Sequence, residues 1–315
     1  MKKILVSVTV ILISIMLFSA GTENIISELG YSAKLTGKGE TGYIFNNSAS
    51  TIKINPSLMS SLNKTNLTWT HSELNHNQWN DYISAGVPIK VKGINLGLGF
   101  SWNRLWVDGI PVTETGDTIS GTDYLEIINN GNTNMTMNEY GIGLSFNKSI
   151  INAGLLVKYT QGSLLDYSVK GLGFDGGITI IKNIPIPVIH SIGTAVVIKD
   201  IGGTKYDWNT GYSEKTDMIA EVGVGTSFDI PKLGEESINL ELAVNKYMGD
   251  NTDIIYKAGA EVYLLPVIPL RIGYNGQSVT GGIGIETDYI TVDYSYSGMQ
   301  ELEPVHKVSL GLLFP

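Results

Sequence analysis

The chain has 315 residues, 16% of them charged, with 37 glycines, no cysteine and a formal net charge of -9. Zero Cys excludes disulfides, thiolate zinc sites and thiol nucleophiles, and an acidic chain without a basic patch is a poor partner for nucleic acid. Beyond the N-terminus no apolar run approaches the roughly 18 residues of a spanning helix, so any membrane crossing must use strands.

Lys2 and Lys3, the apolar stretch Ile4 to Phe18 and the small residues Ser19-Ala20-Gly21 read as a secretory signal peptide over 1–21. No Cys follows it to accept a lipid. Residues 22–62 do not alternate cleanly and are expected to form an ordered preamble. Gly37, Gly39 and Gly42 mark turns in it. Asn55-Pro56 suits the start of a short helix, because the fixed φ of proline fits a first helical position that needs no N–H donor.

From about residue 64 the hydrophobic period becomes two, which places successive side chains on opposite faces of a strand. The clearest runs are Ile94 to Trp102, Tyr140 to Phe146, Ile151 to Tyr159, Leu172 to Ile180, Ile192 to Ile198 and Ala220 to Phe228. Ile238 to Val244, Tyr256 to Leu264, Leu270 to Tyr274, Val279 to Ile285, Ile290 to Tyr296 and Val308 to Phe314 follow. With two weaker runs near 65–73 and 80–89, the total is about fourteen, an even number of the kind that closes an outer-membrane barrel. Long connections at 107–138, 161–170 and 200–216 alternate with short ones at Asn147-Lys148, near Pro185, at Leu265-Pro266 and at Thr287-Asp288. Short periplasmic turns and long outer loops produce that alternation. The link from Asp229 to Ser237 is longer than the pattern expects. Residues 63–315 are therefore predicted to be all-β: a single transmembrane antiparallel barrel in the cell outer membrane, with lipid as its first partner.

Between the apolar positions lie Lys158, Asp175, Lys199, Glu221, Glu241, Lys257, Glu261, Arg271 and Asp293. A basic side chain turned to mid-membrane lipid costs about 2–4 kcal/mol, so these nine are expected to face the lumen. Their mixed signs predict pairing with one another in a narrow interior, with a solute-contacting lining as the alternative. Trp69, Trp102, Trp106, Tyr294 and Tyr296 fall near strand ends, where an aromatic girdle meets the lipid–water boundary.

Other motifs carry little chemistry. Gly171-Leu172-Gly173-Phe174-Asp175-Gly176 matches the dinucleotide pattern G-x-G-x-x-G. That pattern needs a following helix to hold the pyrophosphate, and here strand-like Ile178-Thr179-Ile180-Ile181 follows. His71, Glu73 and His76 are close in sequence, but His76 falls in a loop, and polar residues of an outer loop explain the cluster without a metal. No catalytic constellation can be assembled. The chain is thus expected to be no enzyme, with no metal and no cofactor.

The C-terminal third also resembles a known family. Gly259 and Glu261, then Leu270-Arg271-Ile272-Gly273-Tyr274, Asp293-Tyr294, and His306, Ser309, Leu310 and Phe314 are similar to the ordered motifs of the PorV/PorQ outer-membrane proteins, with Lys307 where Arg is usual. Ser48 to Met59 resembles the Asn-Pro-Ala segment of that family, with Ser57 in place of Ala. The resemblance implies a fourteen-stranded barrel like the long-chain fatty-acid transporters (FadL-like), with residues 22–62 as a plug opened by Asn55 and Pro56. It implies two roles that fold analogy does not separate: passage of small hydrophobic solutes, or service to secreted proteins in type IX-like export or surface assembly. A purely structural outer-membrane protein is the remaining alternative.

Overall fold

The computed structural model describes residues 31–74, 77–118, 125–230, 233–249, 253–298 and 304–315, together with Ile26 and Leu29. The predicted signal peptide and His76 lie outside the described residues. Strands β1 (Thr65–Leu74), β2 (Gln78–Val91), β3 (Ile94–Thr118), β4 (Leu125–Lys148), β5 (Ile151–Leu164), β6 (Tyr167–Ile186) and β7 (Ile189–Lys199) form half of a barrel wall. A small hairpin follows, β8 (Lys205–Trp208) and β9 (Ser213–Lys215). The second half is β10 (Ile219–Ile230), β11 (Gly234–Tyr247), β12 (Ile254–Leu265), β13 (Ile268–Tyr274), β14 (Val279–Glu286), β15 (Ile290–Ser297) and β16 (Val305–Phe314).

Every wall strand pairs antiparallel with its neighbours, β7 with β10, and β16 closes on β1 from Thr65↔Phe314 to Glu73↔His306. Fourteen strands therefore make a closed barrel, and no wall strand leaves a row of backbone N–H and C=O groups facing lipid. The side-chain period explains why the wall forms. On β16, Val308, Leu310, Leu312 and Phe314 are exposed outward, while Lys307 and Ser309 are buried inward. Ile142, Leu144 and Leu155, 61–64% exposed, show how bare the outer belt stands without its lipid. In water such a surface would aggregate; in a bilayer it is solvated.

At the end where β1 begins and β16 stops, the wall turns are tight: 92–93, 149–150, 187–188, 266–267 and 287–289. Lys92 and Gly93 both have positive φ, 37° and 83°, as a two-residue hairpin turn matched to strand twist requires. These turns fall up to two residues beyond the sequence-predicted ones.

Four connections differ from expectation. Residues 107–138 are mostly strand: β3 and β4 continue past Val107 and Met135, where pairing to β2 and β5 ends, and pair with each other to Thr118↔Leu125. The 161–170 connection is also strand up to the Leu164↔Tyr167 pair. Backbone pairing outlives the hydrophobic alternation there because, beyond the bilayer, neither face needs apolar side chains. Between Asp229 and Ser237, β10 runs on to Ile230 and β11 begins at Gly234, so both strands extend beyond the apolar pattern. The third long connection, 200–216, folds back so that β8 pairs with β6 from Val169↔Trp208 to Leu172↔Lys205. The glycine-rich match at 171–176 lies within β6, with no helix after it.

Candidate functional site

Residues 31–62 lie inside the barrel, built from α1 (Ala33–Gly37), α2 (Thr51–Ile54) and a 3-10 turn over Pro56–Ser61. Local chemistry sets each piece. The Ser32 side chain caps α1 by accepting from the Leu35 N–H, and the Asn55 side chain caps the 3-10 turn by accepting from the Ser57 N–H at 3.1 Å, with Pro56 next. Tyr31, Leu35, Tyr43, Ile44 and Ile54 pack on Ala195, Val197 and Ala243 of the wall; Ile52, Met59 and Leu62 pack on Leu156. Each large apolar side chain buried this way contributes roughly 1.5–3 kcal/mol, so the segment is held as a core would be. The wall makes room with glycines. A Cβ on Gly97 would collide with the backbone of Met59 and Ser60, and one on Gly273 with Lys38 and Gly39.

Polar contacts tie the same segment to the lumen face all round the wall. Asn55 Nδ2 donates to Thr179 Oγ1 at 2.7 Å, and the Ala33 N–H donates to Ser309 Oγ at 2.8 Å. Glu241 lies against the 38–45 loop, accepting from the backbone N–H groups of Gly42, Ile44 and Phe45 and pairing with Lys38 at 3.4 Å. Lys53 bonds Glu139 on β4, and Glu40 accepts from Lys257 at 3.1 Å. Lys34 lies 2.8 Å from Glu286 and 3.8 Å from Glu261. Burial works against the Lys34 charge, but Glu261 and Glu286 outweigh it and hold its pKa well above the ordinary lysine value.

The nine sequence-predicted lumen residues are all buried on the inner face. Seven meet one another. Lys158 contacts Asp175 at 2.8 Å, Lys199 contacts Glu221 at 3.2 Å, and Arg271 reaches Glu261 and Asp293, each at 2.6 Å. Glu241 and Lys257 meet the N-terminal segment instead. Reasoning from strand alternation missed their partners Lys38 and Glu40, as well as Lys34, Lys53, Glu139, Asp200 and Glu286. Asp200 receives Lys158 at 2.9 Å and Glu286 receives Arg271 at 2.5 Å. The charged residues of the glycine-rich preamble were the one available signal, since a solvated tail has no need to space Lys34, Lys38 and Glu40 among turns.

On the side of the tight turns, the segment leaves a cavity of about 770 Å³ lined by Asn46, Asn66, Thr68, Ser237, Asn239 and Thr291 among others. The Asn46 amide is buried and has no protein partner on either atom. Such a chamber suits water and polar groups.

The outer face carries Trp69, Trp102, Trp106, Tyr294 and Tyr296. Trp69 stacks on His71 with centroids 6.1 Å apart, Trp79 lies 5.3 Å from Trp106, and Tyr294 shares a 2.7 Å hydrogen bond with His306 Nδ1. Trp102 donates from Nε1 to Asn138 at 3.1 Å. His71 is engaged by Asp81 at 2.9 Å. Among the described residues no group of three His, Asp or Glu is placed to hold a metal ion.

A closed wall with an apolar belt, a charged and filled interior and short turns at one end defines a bacterial outer-membrane β-barrel. No protein-family model matches the sequence, and no curated protein matches it significantly. Solved structures do match the fold. A deletion mutant of the TodX monoaromatic hydrocarbon channel superposes with a TM-score of 0.56 at 11% identity, covering 90% of this chain and 99% of that one. The toluene transporter TbuX of Ralstonia pickettii gives 0.53 at 11% identity, covering 91% and 99%. A FadL homologue of Pseudomonas aeruginosa gives 0.50 at 12% identity, covering 94% and 100%. The chain shares the architecture of these barrels over nearly its whole length.

Proposed function

We propose that this barrel passes small hydrophobic solutes across the outer membrane, with residues 22–62 acting as a plug. The observation that carries the reading is the segment 31–62 held within the lumen by ion pairs and two apolar clusters. A purely structural barrel has no need of a separately tethered filling, whereas a controlled pathway does. The hydrophobic class of the solute is supported by the neighbours in fold, two of which are described as a monoaromatic hydrocarbon channel and a toluene transporter. Those neighbours are channels and a transporter, which supports a passage role over an enzymatic one. Uptake of labelled toluene by cells of a deletion strain should rise when the full chain is restored. Equal uptake with and without it would sink the reading.

One observation favours the second role, that of a PorV/PorQ-type accessory to protein export. Beyond the wall, β3 and β4 form a two-stranded ribbon with both outer edges unpaired among the described residues. Residues 108–134 carry five acidic and no basic side chains. An exposed edge of that kind is a template for a further strand, and its charge selects a basic partner. Replacing 109–133 by a short turn should then abolish co-purification of a secreted protein while leaving toluene uptake intact. Retained co-purification would remove this role.

A further inference from the structure

The rim at the tight-turn end is electrically lopsided. The ends of β2 to β7 there, residues 86–96, 143–156 and 176–192, contain Lys90, Lys92, Lys148 and Lys182 and no acid, in a chain of net charge -9. Asp229, Glu236, Glu286 and Asp288 fall at the same end on the other half of the wall. Lys92, Lys148 and Lys182 are exposed. Elsewhere on the surface Lys64 lies 3.0 Å from Asp288 and Lys205 lies 2.6 Å from Asp207, whereas among the described residues these three have no carboxylate within 4.0 Å. Like charges gathered without acids repel one another, so the sector is built to meet an anion from outside the chain.

Strand register turns two of the three toward lipid. Lys148 continues the outward row of Leu144 and Phe146 and pairs with exposed Ile151, which in turn pairs with Ile180. Lys182 continues the outward row of Ile178 and Ile180 and pairs with exposed Ile192. Two strands separate the two lysines, about 10 Å across the wall, and Lys182 lies about 7 Å nearer the rim. Lys92 stands on the adjacent hairpin turn. Directly behind the lysines, small Ala153 pairs with Phe146 on one side and Ile178 on the other, leaving a shallow apolar trough that runs into the belt. Cations at the lipid–water boundary above a trough of apolar wall match a molecule with an anionic head and a hydrocarbon tail.

We propose that Lys148 and Lys182, with Lys92 beside them, bind the head of an anionic phospholipid in the periplasmic leaflet, with one acyl chain lying over Ala153. Short turns face the periplasm in barrels of this class, which puts the sector in that leaflet. A zwitterionic head brings its own cation toward the lysines and loses the advantage; a head with net negative charge keeps it. The lipid would mark one side of the barrel, β2 to β7, and leave the acidic half free of it. This goes beyond the passage reading and does not rest on it.

The test is native mass spectrometry of the full chain in an uncharged detergent, titrated with dioleoyl phosphatidylglycerol. Phosphatidylcholine of the same chains is the zwitterionic comparison, and glycerol phosphate is the free head group. Phosphatidylglycerol should bind more tightly than phosphatidylcholine. Lys148→Gln and Lys182→Gln should each weaken it by about fivefold, and added salt should do the same to the wild type. Lys148→Arg/Lys182→Arg should retain binding, as should Lys170→Gln/Lys205→Gln at the opposite end of the wall. Ala153→Phe, which fills the trough without removing a charge, should weaken binding as well. All these positions are at the surface, and heat-dependent gel mobility verifies that each variant is folded. Equal phosphatidylglycerol affinity in the wild type and Lys148→Gln/Lys182→Gln overturns the site, and so does an equal loss in Lys170→Gln/Lys205→Gln. Phosphatidylcholine binding as tightly as phosphatidylglycerol overturns the anionic assignment. Unchanged binding in Ala153→Phe overturns the place of the chain, and glycerol phosphate displacing the lipid at equal concentration overturns the lipid as occupant.

Discussion

Arg271 holds the most demanding charge position in the lumen. Its side chain is fully buried and donates to Glu261, Glu286 and Asp293 from three different nitrogens at 2.5–2.6 Å. Replacing it with Leu leaves Glu261 and Glu286 with Lys34 as their ion-pair partner and Asp293 with none among the described residues. Breaking such a buried network by removing one partner costs about 3–5 kcal/mol, so R271L should lower the midpoint of urea unfolding in lipid vesicles by a margin that is easily read. An unchanged midpoint would mean water replaces the guanidinium without cost. Gly273 is a different kind of constraint, because a Cβ there meets backbone rather than a movable side chain. Gly273→Val should therefore loosen the N-terminal segment. Limited proteolysis would report it as faster cleavage near Lys38 in the variant than in the wild type. Of these residues, Arg271 was legible in sequence as an inward charge, since a lone base between apolar neighbours has only one comfortable face. Its three partners were only partly legible, because Glu286 lies at a strand end where alternation fades.

The element scale shows where alternation stops being informative. Ile142 on β4 lies in the bare outer belt, and an Ile142→Arg substitution should cost about 2–4 kcal/mol, as a base facing mid-bilayer lipid does. Refolding yield into phosphatidylcholine vesicles measures this, and a yield equal to wild type would place Ile142 outside the bilayer. The extension of β3 and β4 follows other rules. Beyond Val107 and Met135 the two strands pair only with each other, outside the closed wall, so no contrast between lipid and lumen imposes a hydrophobic period there. Replacing 109–133 by a turn should leave the unfolding midpoint of the barrel within about 0.5 kcal/mol of wild type, as changes away from packed features usually do. A large loss of stability would mean that the ribbon supports the wall.

For the molecule as a whole, closure and filling are separate achievements of one chain. Closure rests on β1 meeting β16, residues far apart in sequence, in a register running from Thr65↔Phe314 to Glu73↔His306. Filling rests on a segment whose contacts reach β1, β6, β11, β12 and β16. If that segment is the plug, weakening its tethers with Lys38→Met and Glu241→Gln should raise single-channel conductance in planar bilayers. Conductance at the wild-type level would count against it.

The sequence by itself determined the wall. Lipid on one side and a polar lumen on the other impose a period of two on each spanning strand, and a strand count near fourteen follows from reading that period alone. The expectation of nine inward charges came from the same cause, since a charge has a large penalty on one face. Only the tertiary structure decided which charges meet. Lys38 finds Glu241 and Lys257 finds Glu40 because the N-terminal segment folds back into a barrel that later strands complete, and such distant pairing leaves no local pattern. For the same reason Lys307 looked like an ordinary motif position in sequence. Its lack of a carboxylate within 4.0 Å among the described residues emerges only when every other buried base there is seen to have one.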